Sequence, residues 1–385
     1  MLPTTVPGVI IHHVPAATRQ YVGCPSIVIL PNGRYVASHS YFGPGATNDE
    51  TFVYESADLG ASWKPIARIR GQIWSSLFMH RDALYIMGTD HCDRYGSWVP
   101  RVGATFGERL NGRMVIRRSD DGGRSWTTPD SAATGLLSDY DGYHTAPMPV
   151  VSHAGRLWRT MEFAPHAERL FWRTFMLSIG EDADLLDRAS WVQSEMIEHP
   201  WSHSQWIEGN ALVDRDGSVV NLLRTNFRGG LSEHAVAHVD RAALVHVSGD
   251  GLRLVHHPDY DIITMPGGGT KFTVRLDSVS DRYWALVNKQ LDPPSRRNRL
   301  SLVSSPDLRR WTTERLLLSH PDPDHHAFQY VDWVFDGEDI IAVSRTAYDD
   351  GEGGAHNYHD ANYLTFHRID AFRTRTELYP ARELS

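Results

Sequence analysis

SADLGASW, residues 56–63, and SDDGGRSW, residues 119–126, decide the reading of this chain. Both fit Ser-x-Asp-x-Gly-x-x-Trp, through Ser56, Asp58, Gly60 and Trp63 and then Ser119, Asp121, Gly123 and Trp126. The spacing describes a tight turn. Asp and Ser side chains bond backbone amides, glycine accepts a positive φ, and the indole is left to pack against a neighbour. Weaker copies follow in LLDRASW, with Asp187 and Trp191, and in SSPDLRRW, with Asp307 and Trp311. An interval of roughly sixty residues is the length of one four-stranded sheet with its loops, repeated around a ring.

Working outward, short runs rich in Val, Ile, Leu, Tyr and Trp alternate with turn signals, and no stretch keeps helical spacing. PNG, DRDG and FDGED each join two such runs as hairpins do. Six units start near Pro25, Gly71, Tyr143, Trp206, Gly268 and Phe328. The fourth, from NALVDRDG to HVSGDG, lacks a clear copy of the turn motif. Val9 to His13 is placed to supply the outer strand of the last unit and close the ring. The expectation is an all-β chain, one domain over residues 1–385, folded as a β-propeller of four-stranded antiparallel blades.

Composition bounds the function. The 385 residues carry a formal net charge of −9 and are 41% hydrophobic, ample for a packed core. No basic stripe offers phosphate neutralisation, which argues against nucleic acid. No apolar run is long enough for a membrane helix, and no membrane partner is expected. The first twenty residues lack a basic region followed by an apolar one, so a cytoplasmic chain is expected, or a secreted one if a leader has been removed. Cys24 and Cys92 make neither a disulfide framework nor a metal spacing. Lysine occurs only at Lys64, Lys271 and Lys289.

The turn motifs, with a unit opening YVGCPSIVILPNG, resemble the sialidase superfamily. Sialidases carry an arginine in a Tyr/Phe-Arg-Ile-Pro motif at that opening, the first of three clamping the substrate carboxylate. Here the residues are Tyr21, Val22, Gly23, Cys24 and Pro25, and that arginine is missing. ASHSYFGP, GYHTAPMPVVSHAGRLWRTME, WIEGNALV, PGGGTKFTVR, FQYVDW, AVSRTAYDD and HDANYLTFHR are similar to segments of propeller enzymes attacking uronate-containing glycans. These are the ulvan lyases and, nearer, the rhamnose–glucuronate lyases and rhamnosidases. That resemblance implies seven blades, against the six counted.

Candidate chemistry follows from strand ends near the axis. Tyr143 and His144 open a unit, and strand pairing could return Arg159 beside Tyr143. In the similar lyases a Tyr and an Arg at such spacing act as proton carrier and carboxylate neutraliser. The alternative is a packed Tyr143, with Arg159 paired to Glu162. His39 and His91 follow inner-strand patterns at matching places in the first two units, and in related rhamnosidases one propeller His carries the chemistry. The alternative for each is a structural histidine. Lys271 and Lys289 face each other across an expected hairpin as contacts for an anionic substrate. Arg224 and Arg345 end the second strands of their units. Glu208, Asn210, Tyr330, Asp332 and Tyr348 join them as substrate-binding candidates. Each of these has a blade-to-blade bonding alternative. Asp360 and Asn362, in HNYHDAN, offer oxygen ligands for Ca²⁺, with a solvated loop as the other reading.

The function expected is a carbohydrate-active enzyme on a uronate-containing oligo- or polysaccharide. A lyase cleaving a rhamnose–glucuronate linkage by β-elimination leads. A glycoside hydrolase, rhamnosidase or sialidase-like, is the alternative, and a non-catalytic glycan-binding propeller is the third.

Overall fold

A computed structural model describes residues 5–91, 112–140, 142–163, 172–198, 204–227, 240–289 and 296–374. Six antiparallel sheets form a ring, so the count of six blades holds and seven does not. Blade 1 runs Ser26–Ile29, Tyr35–Phe42, Glu50–Ser56 and Lys64–Arg70 outward from the axis. Blade 2 holds Ile73–His80, Ala83–Thr89 and Met114–Ser119. Blade 3 is built on Arg156–Phe163 and Arg173–Gly180 behind an inner strand split into Tyr143–His144 and Val151–His153. Blade 4 follows from Ser204–Val213, blade 5 from Thr273–Asp277 and blade 6 from Ala327–Asp336. Val9–His13 pairs antiparallel with Tyr363–Ile369, as the outer strand that closes blade 6.

Hydrophobic burial explains the ring. Each blade interface holds its own apolar cluster. Met87 and Ile116 of blade 2 meet Met161 and Phe175 of blade 3, and Ile341 and Val343 of blade 6 meet Ile27 and Ala37 of blade 1. A middle strand is therefore covered on both faces. Asp339–Ala347 is buried at every position after its first, which is why it reads as an unbroken apolar run rather than an alternating one.

The repeated turns sit between the third and fourth strands, on the outer part of the blades. Gly60 N donates to Ser56 Oγ (2.9 Å) and Ser62 N to Asp58 Oδ1 (2.9 Å). Gly123 and Ser125 repeat these bonds on Ser119 (2.8 Å) and Asp121 (2.9 Å). Gly60 has φ +92°, and a Cβ there would stand 2.2 Å from the Phe366 ring of blade 6. Trp63 packs on that same ring, at 5.5 Å between centroids. The fourth unit keeps part of the device after all, with Ser248 bonded to Asp250 Oδ1 and Gly251 at φ +77°.

A second repeat lies beside the axis. Ser26 Oγ accepts the Leu77 amide of blade 2 (2.9 Å), and Ser76 Oγ accepts that of Met148 in blade 3 (2.8 Å). Asn210 Oδ1 accepts Val274 N of blade 5 (2.9 Å), and Asp332 Oδ2 accepts Ile27 N of blade 1 (3.2 Å). One polar side chain thus accepts a backbone amide of the next blade at these four steps, and Thr273 Oγ1 of blade 5 donates to the Val331 carbonyl of blade 6 (3.1 Å).

Candidate active site

Two residues before three of those polar side chains, Ser76, Asn210 and Asp332, the inner strand is irregular. Pairing shifts between Ile73 and Ser76, between Ile207 and Asn210, and between Gln329 and Asp332. The residues inside the shifts are Trp74, Glu208 and Tyr330, with φ of +53°, +57° and +53°. Non-glycine residues in the left-handed region cost on the order of 1–3 kcal/mol each and gather at functional sites. A bulge re-aims the side chain it carries. Blades 2, 4 and 6 therefore turn an indole, a carboxylate and a phenol out of the regular strand pattern at one end of the ring. Cys24 of blade 1 and Lys271 of blade 5 stand at the same offset from Ser26 and Thr273.

Glu208 is 2% exposed, and its Oε2 accepts Arg224 Nη1 at 2.7 Å. Burial alone would raise its pKa, but the charge and hydrogen bond of Arg224 hold the carboxyl below its ordinary value. Tyr330 lies beside Glu208 and Arg224, close enough that each acts on the others' charge. Its phenol is pushed up by burial and by Glu208, against the opposing charges of Arg224, Arg297 and Arg345. Tyr330 is half-buried, and Glu208 is buried beside it.

Cations surround this couple. The guanidinium of Arg345 lies 4.8 Å from the Tyr330 ring and 4.4 Å from that of Phe42, and that of Arg297 lies 5.3 Å from Tyr330. Arg345 donates to the His359 carbonyl (3.1 Å from Nε), and Arg297 donates to Gln329. Among the described residues neither forms an ion pair within 4.0 Å, whereas Arg224 does. Burial lowers Arg345 to about 10. His144 sits across the mouth, its Nδ1 3.4 Å from Glu162 Oε2 and its ring against Trp172 (4.8 Å) and Trp74 (6.1 Å).

Of the residues singled out from sequence, Glu208, Arg224, Tyr330, Arg345 and His144 converge here. Arg224 and Arg345 do stand at matching register positions, opposite Ile207 and Gln329. Lys271 is close but buried, donating to Thr273 Oγ1 (2.6 Å) and the Val331 carbonyl (2.7 Å). Burial lowers it to about 8. Asn210 and Asp332 spend their side chains bonding the neighbouring blade.

Several expectations need correction. Tyr143 and His144 are consecutive, so they point to opposite faces. Tyr143 enters the core between blades 2 and 3, its ring 5.0 Å from Phe163 and 5.9 Å from Phe175. Arg159 shares that inward face. It is fully buried, donating to Ser76 Oγ (3.2 Å) and the Met87 carbonyl (3.1 Å), and burial lowers it to about 10. The Glu162 that could have paired with it faces blade 4, where Oε1 accepts Gly209 N at 3.3 Å.

His39 is fully buried between His12, Phe52 and Tyr54, with Nε2 3.2 Å from the Tyr54 hydroxyl. Its match in blade 2 is Gly88 rather than His91, because Ser38 pairs with Ser26 as Met87 pairs with Ser76. His91 is exposed and bonded to Asp90 (2.8 Å). The Thr273–Leu286 register, continued, sets Asn288 rather than Lys289 opposite Lys271. Tyr348 packs between blades 5 and 6. Asn362 bonds the Tyr348 backbone (3.1 and 2.9 Å), and Asp360 bonds His359 (2.8 Å) and Asn357 (3.0 Å), so the two do not share a cation cage. Among the described residues no group of three or more His, Cys, Asp or Glu could hold a metal ion. Cys92 lies outside the described residues.

Arg297, Trp74, Glu162, Trp172 and Phe42 were not among the sequence candidates. Aligning IWSSL with WIEGNAL and FQYVDW would have raised Trp74. Nothing distinguishes Arg297 in a chain whose basic residues are nearly all arginine.

No family model matches the chain, and no curated protein matches it. Solved structures do. An α-L-arabinanase of Penicillium chrysogenum is 14% identical, with 97% of this chain and 100% of that one covered and a TM-score of 0.57. A Hadza microbial sialidase is 11% identical, covering 94% and 68%, with a TM-score of 0.61. Trypanosoma rangeli sialidase is 16% identical over 91% of this chain and 55% of its own, with a TM-score of 0.57. At these identities the likeness is one of fold, and the fold is the β-propeller that sialidases and arabinanases share.

Proposed function

We propose that this propeller is a glycoside hydrolase acting on a carboxylate-bearing sugar, the class that includes uronates, by double displacement at Tyr330. The observation that carries the reading is the Tyr330–Glu208 couple. A phenol is a weak nucleophile until a neighbouring base takes its proton, and a carboxylate held ionised by Arg224 is such a base. Attack by a neutral tyrosine, with the Glu208 charge offset by Arg224, avoids the repulsion that a bare carboxylate nucleophile would meet from a negatively charged sugar, and a tyrosine nucleophile is the known sialidase exception among glycosidases. Arg297, half-buried and without a carboxylate partner among the described residues, suits a hold on the sugar carboxylate, and the buried Arg345 adds positive charge behind Tyr330.

The neighbours' ligands span both charge classes. The Penicillium arabinanase holds arabinobiose, and the Trypanosoma sialidase holds sialic acid. The arginine pair favours the charged class here.

β-Elimination draws on the same groups, with Tyr330 as base and an arginine as neutraliser, but makes a different product. Incubation with oligouronates and aryl glycosides of uronic, sialic and neutral sugars separates the two. Hydrolysis releases reducing sugar without new ultraviolet absorbance. A fluorinated glycosyl fluoride of the accepted sugar should leave a covalent adduct on the Tyr330 peptide, and Tyr330→Phe should lose on the order of a thousandfold in turnover or more while remaining folded. A conjugated double bond in the product, or full turnover by Tyr330→Phe, overturns the proposal.

A further inference from the structure

Double displacement needs a proton donor for the departing oxygen, and the Tyr330–Glu208 couple does not supply one. We infer that His144, oriented by Glu162, is the acid–base group of this site; the inference rests on the glycosidase reading above.

The geometry singles out this side chain. Its neighbours in the mouth are already committed. Asp332 accepts from Ser26, Ile27 and Trp333. Lys271 is held by Thr273 and Val331. Asp360 is held by His359 and Asn357. The imidazole of His144 is 19% exposed, with Nδ1 facing the fully buried Glu162. Nε2 has no hydrogen-bond partner among the described residues and is left to the mouth. A carboxylate behind Nδ1 keeps a proton there and fixes the ring plane, so Nε2 is the nitrogen that exchanges a proton, a directed donor when the ring is protonated and an acceptor when it is neutral. Trp172 and Trp74 wall the ring, so its rotation is limited as well.

The acid side and the nucleophile side are joined by two adjacent residues. Glu162 is pinned by the Gly209 amide, and Gly209 follows Glu208. The site is glycine for space, since a Cβ there would stand 2.1 Å from Asn221 Oδ1. One bulge therefore sets the spacing between the Tyr330–Glu208 couple and the His144–Glu162 couple.

The steps balance. In the first, Tyr330 Oη bonds the anomeric carbon and its proton passes to Glu208. The bond to the leaving oxygen breaks with its electron pair, and His144 Nε2–H protonates that oxygen. In the second, neutral His144 takes a proton from water as the water oxygen displaces the tyrosyl oxygen, which recovers its proton from Glu208. The net change is hydrolysis.

The test uses the full chain and pairs of aryl glycosides of one accepted sugar, one with a 2,4-dinitrophenyl and one with a 4-methoxyphenyl leaving group. A good leaving group departs without protonation. His144→Gln should keep kcat/KM for the dinitrophenyl substrate within about tenfold and lose on the order of 10²–10⁴ in kcat/KM on the methoxyphenyl substrate, while kcat falls on both because the base for the second step is gone. Glu162→Gln, which leaves the ring in place, should lose less, with the same selectivity. Added azide should restore turnover of the dinitrophenyl substrate by His144→Gln as glycosyl azide. Equal losses in kcat/KM on both substrates, or none on either, overturn the role of His144. An active Tyr330→Phe beside a leaving-group-selective His144→Gln overturns the nucleophile alone. Absence of turnover on every glycoside by the wild type overturns the glycosidase reading and this inference with it.

Discussion

Replacing Arg224 with Met tests the charge balance under the site. Arg224 and Glu208 are 7% and 2% exposed at their side chains and 2.7 Å apart, so the pair is buried and removing one member strands the other. Breaking such a pair costs about 3–5 kcal/mol. An unfolding entropy of ~2.1 cal/mol/K per residue over 385 residues gives ~0.8 kcal/mol/K, so the expected fall in melting temperature is ~4–6 °C.

The loss should depend on pH. In the wild type the Glu208 carboxyl is depressed, so its stabilisation is present above the unfolded value of about 4.3 and fades as pH falls through the folded one. In Arg224→Met the stranded carboxylate is pushed up instead, and the variant is penalised at neutral pH but not in acid. The gap between the two proteins should be widest near pH ~7 and close near pH ~4. Glu208→Gln/Arg224→Met should recover most of the loss, because no charge is left buried. Melting curves at both pH values for the three proteins decide it. A single variant within a degree of wild type at neutral pH, or a gap that ignores pH, refutes the reasoning.

Gly60→Ala should add a clash of about 1–3 kcal/mol with the Phe366 ring to the backbone cost. Gly33→Ala, at φ +80° with nothing within 4 Å, should cost only the conformational ~1–2 kcal/mol, so urea midpoints should rank Gly60→Ala well below Gly33→Ala. His39 is held neutral by burial and by His12, with its value lowered to about 3 from 6.5. The unfolded chain takes up that proton first, so stability falls by roughly 1.4 kcal/mol per pH unit as pH drops from 6.5 towards 3. His39→Gln should flatten the pH dependence of stability across that window, and an unchanged slope would show that His39 does not titrate on unfolding.

The blades were legible because their signals are local. Ser56-x-Asp58-x-Gly60 specifies its own turn, and the unit starts near Pro25, Gly71 and Phe328 fall within two residues of Ser26, Ile73 and Ala327. The site was legible only where a residue's position along the blade mattered more than its face. Arg224 and Arg345 follow from strand ends alone. Tyr143 and His144 differ by one residue, and the period of two sends one into a core and the other to the mouth. No sequence pattern fixes that parity once a bulge intervenes. The strained turns at Trp74, Glu208 and Tyr330 are not glycines, so nothing in composition marks them. They appear when WIEGNAL is aligned with FQYVDW and IWSSL through the polar residue that bonds the next blade.

The pairing of Val9–His13 with Tyr363–Ile369 also sets a clock. About 350 residues of chain separate the two strands, and at ~5–20 residues per second a ribosome takes roughly 20–70 s to cover that distance. Over that interval the first strand has no partner, while blades 1 to 5 meet their neighbours in the order they are made. Blade 6 receives its outer strand from a segment made before every other strand of the ring, so the ring is completed in one late event. The Val-Ile-Ile-His-His segment waiting for that event is an open strand edge, and in the finished blade only one of its isoleucines, Ile11, is buried.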